Sequence, residues 1–221
     1  MHVFTQAKFD ALPVVEGFKQ CPTGDYSALI AFKDKCNFAP GCIFSDECYF
    51  GEDNRFGTGC KFGASSHFSY WNKFGHRCIF DSACVFGCGC IFGYGCAFGE
   101  KCCFGEENRF GTANYFSDGC EFSKQSWFGP SNYFGDECTF NEKRARPGYP
   151  LLALSGAGSV NRTVYAFNVE GGPWFEAGCF SGDIDAFRAK VRMDDDALKC
   201  LQYLGFANIV AATWCPERIE R

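Results

Sequence analysis

Apolar and polar side chains alternate in short runs through the middle of this chain, and the alternation restarts every six residues. From Cys36 to Lys143 a phrase [Cys/Asn/Ser]-x-Phe-x-x-x repeats eighteen times without a break, with Phe at its third place every time from Phe38 to Phe140. Gly or Ser follows the Phe at most repeats. In an extended segment, successive side chains point to opposite faces. The first and third residues of each phrase therefore share a face, and the residue between them takes the other. The shared face carries only Phe and a small residue, so it is the inside. The middle residue varies (Arg55, Lys61, His67, Lys73, Ile79), so it is the outside.

A period this short predicts a solenoid, in which each unit buries its inner face on its neighbours. Three short strands and three corners close a triangular coil of eighteen residues, and eighteen phrases make six coils. With strands about 4.8 Å apart, the stack is about 29 Å long. Residues eighteen apart then stand in ladders. The inward small-residue ladders run Cys36–Asn54–Asn72–Cys90–Asn108–Ser126, Cys42–Cys60–Cys78–Cys96–Asn114–Asn132 and Cys48–Ser66–Cys84–Cys102–Cys120–Cys138. A buried Asn is costly unless it is hydrogen-bonded, so stacked amides or corner backbone groups are its expected partners. The Phe rings form the core, and Gly after Phe is expected to relieve a crowded corner.

This pattern resembles the left-handed parallel β-helix of the hexapeptide-repeat proteins, over residues 36–143. The likeness implies the left-handed sense. It departs from that family in using Phe where Ile, Leu or Val is usual. The whole chain also resembles phage and prophage proteins with CxFG hexapeptide arrays, through the lead-in Cys21–Phe32 and the tail around Ala177–Phe187.

The flanks have other patterns. Residues 1–35 are expected to form a short helix over 4–12, with Phe9 and Leu12 on one side, and a cap on the open end. In the cap, Ile30-x-Phe32 already carries the inward spacing. Residues 144–221 are expected to form a small α+β cap domain after an exposed turn at Lys143–Gly148. Its strands are placed at Leu151–Leu154, Thr163–Asn168 and Trp174–Cys179, with turns at 156–158 and 171–173. A helix capped by Asp183 runs to about Val191. A second runs from Asp195 to Tyr203 and is broken by Gly205, a final segment through Ala212 is also expected to be helical, and Leu198, Leu201, Leu204 and Ile209 supply apolar material. The fold class is therefore mainly β, a parallel β-helix of about six triangular coils with a small C-terminal α+β domain.

Composition sharpens this picture. The chain has 221 residues, with 27 Phe, 26 Gly and 17 Cys. Eleven of the Cys occupy the first place of the phrase, where Asn and Ser also occur. A disulfide network would not exchange with Asn and Ser, so these are read as reduced core thiols. The net charge of −5 argues against general nucleic-acid binding. No apolar run is long enough for a membrane span, and Met1–Leu12 does not read as a signal peptide, so a cytoplasmic protein is expected, in the host cytoplasm if phage-encoded.

Candidate chemistry is sparse. His67 lies on an outward strand position and His76 at a corner, neither beside a sequence partner. Cys88 and Cys103 are the repeat thiols least enclosed by the pattern. The glycines of Ser155–Ser159 lack a following phosphate-binding Lys, and Asn161-Arg-Thr matches a glycosylation sequon. No metal motif and no cofactor is indicated. One outer ladder, Asn37–Arg55–Lys73–Ile91–Arg109–Trp127, collects cations and an aromatic. Arg55, Lys73, Arg109 and Trp127, with Arg144 and Arg146 beyond the array, are the candidates for an anionic ligand such as a nucleotide. Another ladder presents Ile43, Ile79, Tyr115 and Tyr133 as an interface for a homo-oligomer, dimer or trimer. The favoured reading is a non-enzymatic phage-type binding protein that sequesters a nucleotide immune signal or a host protein. The alternatives are an acyltransferase-like enzyme using His67 or His76, and a structural virion or assembly component.

Overall fold

The computed structural model describes residues 1–146, 150–157, 162–194 and 196–218. Pro147, Gly148, Ser159, the sequon residue Asn161 and Asp195 lie outside them. The chain divides into two compact units, Met1–Glu142 and Lys143–Arg221.

The first unit is a left-handed parallel β-solenoid of about seven turns. Nearly every phrase contributes a strand of two or three residues (the second gives a single bridge at Ile43), and strands eighteen residues apart pair in parallel on three sheets. Arg55–Phe56 pairs with Lys73–Phe74 on the first sheet, Lys61–Phe62 with Ile79–Phe80 on the second and His67–Phe68 with Val85–Phe86 on the third. All eighteen repeat Phe are buried. Rings one turn apart stack nearly parallel, as Phe80 on Phe98 at 4.9 Å and 2°. Rings on adjacent sheets meet edge-to-face, as Phe80 with Phe86 at 5.0 Å and 86°. Both arrangements suit the aromatic quadrupole.

The extra turn precedes the array. Phe18–Cys21, Asp25 and Ala31–Phe32 pair onto the first repeats, and Cys21, Tyr26 and Phe32 point inward. Tyr26 is fully enclosed because its hydroxyl donates to the Pro22 carbonyl at 2.7 Å. The expected inward Ile30 is instead exposed and Leu29 is buried, because a turn from Tyr26 to Leu29 shifts the chain by one residue. Phe4, stacked on Tyr26, and Phe9 from helix α1 (Gln6–Asp10) close this end.

At the corners the crowding expected at the Gly after Phe is present, and the left-handed conformation falls on a different residue. The residue in left-handed conformation is the sixth of the first seventeen phrases, and twelve of these seventeen are not Gly (Trp71 and Arg77 among them); Lys35, just before the array, takes the same conformation. The Gly after Phe has ordinary φ. It is small because the previous coil's backbone passes close by: a Cβ on Gly57 would lie 2.5 Å from the Pro40 nitrogen.

The inward Asn residues are satisfied by backbone. Asn108 Oδ1 accepts from the Cys90 N–H one coil earlier at 2.7 Å, and its Nδ2 donates to the Gly105 carbonyl at 2.8 Å. Asn54, Asn72, Asn114 and Asn132 receive a backbone N–H in the same way. From Cys60 onward, where Cys holds this place its Sγ lies 3.4–3.6 Å from the carbonyl twenty-one residues earlier, as Cys78 to Gly57 and Cys60 to Ala39. All seventeen cysteines are free thiols.

The second unit is an antiparallel four-stranded meander, Leu151–Ala157, Arg162–Val169, Gly172–Ala177 and Phe180–Asp183, carrying two helices. Helix α2 (Ile184–Arg192) is capped by Asp183, whose carboxylate accepts from the Ala186 N–H. Helix α3 (Ala197–Trp214) runs straight through Gly205, where a break was expected. Burial of Tyr203, Phe206, Ala207, Val210 and Ala211 outweighs the roughly 1 kcal/mol that Gly costs in a helix. These residues pack with Val164, Phe175, Ile184 and Phe187. Leu198, Leu201 and Ile209, expected in this core, face solvent instead.

Candidate ligand-binding face

The first sheet's outer surface follows directly from the period. The middle residue of each phrase points out, and in-register pairing lines up Asn37, Arg55, Lys73, Ile91, Arg109 and Trp127. Adjacent members are about 4.8 Å apart, so Arg55 to Trp127 spans about 19 Å. The Arg55 guanidinium lies over the Phe18 ring at 3.9 Å, and that of Arg109 near the Trp127 ring at 5.9 Å. Lys73 stands exposed between Arg55 and Ile91. Four of the sequence-predicted ligand residues thus share one flat, partly preorganised strip. Arg144 and Arg146 belong to the second unit. There the Arg144 carbonyl accepts from the Glu170 N–H, and the Arg146 N–H donates to the Asn168 carbonyl.

The second sheet presents Asp25, Ile43, Lys61, Ile79, Ala97, Tyr115 and Tyr133 in register. Tyr115 and Tyr133 stack at 4.9 Å and 5° with both rings about half exposed. Ile43, Ile79, Tyr115 and Tyr133 therefore share one face, which Asp25 and Lys61 make less apolar than the four residues alone.

The two array histidines have partners that the sequence reading missed. His76 Nδ1 accepts from the Tyr94 N–H at 3.2 Å, and the two rings stack at 4.0 Å. His67 stacks on Tyr49 at 4.9 Å, with Nδ1 3.0 Å from the Ser65 carbonyl. Each partner lies eighteen residues away, so reading the long period at corners as well as strands would have found both. His76 does what Asp34, Asp46 and Asp118 do at other corners, accepting the N–H eighteen residues on. An open depression of about 370 Å³ lies beside His67, lined by Ile30, Asp46, Glu47, Tyr49 and Ser65.

Burial pushes the Cys90 thiol up to about 12, while in the stacked Cys ladders the neighbouring thiols outweigh burial and lower Cys60 and Cys96. Cys78, hydrogen-bonded to Cys60 and Cys96 and buried, is pushed far above the ordinary thiol range. Burial, reinforced by the charge of Glu121, also raises Cys103, which makes it a poorer nucleophile at neutral pH. Among the described residues, no group of three or more His, Cys, Asp or Glu is placed to hold a metal ion. No helix among them is long and apolar enough to cross a membrane.

No family model, curated protein or solved structure matches this chain. The solenoid scaffold is of the kind that hexapeptide-repeat proteins use.

Proposed function

We propose that this chain is a non-enzymatic binding protein whose first-sheet face takes an anionic, aromatic ligand, with a nucleotide as the best fit. The observation that carries this reading is the in-register strip of Arg55, Lys73, Arg109 and Trp127. Three cations along about 14 Å suit phosphate oxygens. An indole half exposed beside a guanidinium suits a base that stacks. A rigid parallel sheet holds these groups at fixed spacing, so little ordering entropy is lost on binding. Arg144 and Arg146 are further candidates for phosphate contacts. Self-association through Ile43, Ile79, Tyr115 and Tyr133 would present the strip in more than one copy. The resemblance to phage CxFG arrays supports a biological form of this reading, in which the protein sequesters a nucleotide signal in the host cytoplasm.

Calorimetry of the full chain against a panel of cyclic and linear nucleotides tests the proposal, with inorganic phosphate as the reference anion. Saturable binding is expected, weakened about 10- to 100-fold by Arg109→Ala, the loss of one charge-assisted contact. Absence of heat across the panel, or affinity unchanged in Arg109→Ala and Trp127→Ala, overturns it.

A further inference from the structure

The two helices of the second unit treat solvent differently. The outer residues of α2 include Asp185, Lys190 and Arg192. The outer residues of α3 include Leu198, Leu201 and Ile209, which are 64%, 72% and 60% exposed. A helix apolar around its whole circumference belongs in a buried setting. Gly205 sits in the middle of this outer stripe, and a Cβ built there would meet nothing within 4 Å. Packing inside the unit therefore does not account for a glycine that costs the helix about 1 kcal/mol relative to Ala.

The stripe is symmetric about that glycine. Leu201 lies four residues before Gly205 and Ile209 four after. Leu198 lies seven before and Ala212 seven after, and all are exposed. Steps of four and seven keep residues on one helix face. Two copies of the face laid antiparallel, with the two-fold axis at Gly205, set Leu201 against Ile209 and Leu198 against Ala212 at both ends. Such reciprocity is what a two-fold interface requires. Glycine at the crossing lets the two backbones approach closely, and antiparallel helix dipoles attract. A parallel pair would instead set like against like and make no use of the central symmetry.

We infer that α3 is a self-association surface: two copies of this chain pair through antiparallel α3 helices crossing at Gly205. The inference is independent of the ligand reading and uses a different surface from Ile79 and Tyr133. Three large side chains and two small ones cover less than the roughly 800 Å² per partner of a standard interface, so the dimer is weak and concentration-dependent.

Sedimentation of the full chain over a wide concentration range tests this. Wild type is expected to pass from monomer to dimer. Leu201→Lys and Ile209→Glu, both at exposed positions, are each expected to weaken the dimer at least tenfold with unchanged circular dichroism. The double variant Leu201→Lys/Ile209→Glu is expected to recover most of the association, because each new lysine then faces a new glutamate. Met193→Glu, at an exposed residue outside both the α3 stripe and the second-sheet face, serves as the control and is expected to leave the α3 dimer in place. A wild type that stays monomeric, single variants that dimerise normally, or a double variant as monomeric as the singles overturns the inference.

Discussion

The solenoid and the C-terminal unit solve the same problem with different information. In the solenoid, one local solution is written eighteen times. Every Phe meets a stacked ring one turn away and edge-on rings on the neighbouring sheets, so its surroundings are nearly constant along the array. In the C-terminal unit, Phe175 stacks on Phe187 at 4.4 Å and meets Phe206 edge-on, an arrangement found once and assembled from three separate elements. Stability in the first case is a sum over like interfaces between neighbouring turns. In the second it rests on a single cluster whose parts must all arrive. A lesion in the array should therefore be felt at one interface, and a lesion in the cluster throughout its unit.

The largest test of that contrast removes one ring from each. Phe92→Ala deletes a ring from the middle of its column and should cost about 3–5 kcal/mol, because stacked neighbours held by backbone ladders cannot collapse into the gap. Phe175→Ala should cost a similar amount but unfold the C-terminal unit alone. Scanning calorimetry should show two transitions, each variant lowering only its own. A single transition shifted equally by both variants would mean that the units do not melt independently.

Alkaline pH separates the regions by a few kcal/mol. Burial raises the Cys90 thiol from 9.0 to about 12. A raised folded pKa means that the folded state keeps its proton while the unfolded chain loses one. The stabilisation is complete below pH 9 and is lost as pH rises towards 12. At 1.36 kcal/mol per unit, this one thiol contributes at most about 4 kcal/mol. Urea midpoints of the solenoid should fall steeply above pH 9, and Cys90→Ala should flatten that slope. Matching pH profiles for variant and wild type would remove the argument.

How much of this was legible in the sequence follows the same division. The repeat states the period, and the period dictates three sheets, the inward Phe and the outer ladder of Arg55, Lys73, Arg109 and Trp127. Features that break the period were misread or missed. Cys21, Tyr26 and Phe32 make an additional turn, but one interval between them is five residues, and Ile30 was taken as inward in place of Leu29. Gly205 looked like a stop because local propensity favours one, yet the buried side of α3 overrides it. The strand Phe180–Asp183 was not foreseen, since it pairs with a partner only after the meander forms. His76 and Tyr94 were hidden for a different reason: the eighteen-residue period was applied to strands and not to corners.

A glycine comparison tests the corner rule with smaller effects. Gly57 and Gly59 are two residues apart in one corner but small for different reasons. A Cβ at Gly57 runs into the Ala39–Pro40 backbone at 2.5–2.8 Å, whereas one at Gly59 meets nothing within 4 Å. Gly57→Ala should therefore destabilise by about 2–3 kcal/mol, since the previous coil must move. Gly59→Ala carries only the left-handed strain at φ +72°, partly offset by a less flexible unfolded chain, for a net cost of about 0.5 kcal/mol. Equal losses at the two sites would show that conformation, and not crowding, governs both.

The smallest effect is the reverse exchange at an equivalent corner. Ala113 holds φ +55° in the place that Gly59 fills three turns earlier. Ala113→Gly relieves left-handed strain of about 1–2 kcal/mol and returns about 0.4–1 kcal/mol of it as added freedom in the unfolded chain. The net is a stabilisation of about 0.5 kcal/mol, measurable as a small rise in the urea midpoint of the solenoid. If the gain equals the Gly59→Ala loss, the sixth position is a local cost repeated at twelve corners of the array and unrelated to the Phe core. If Ala113→Gly destabilises instead, the turns hold their corners in common, and stability along the array is not a sum of like parts.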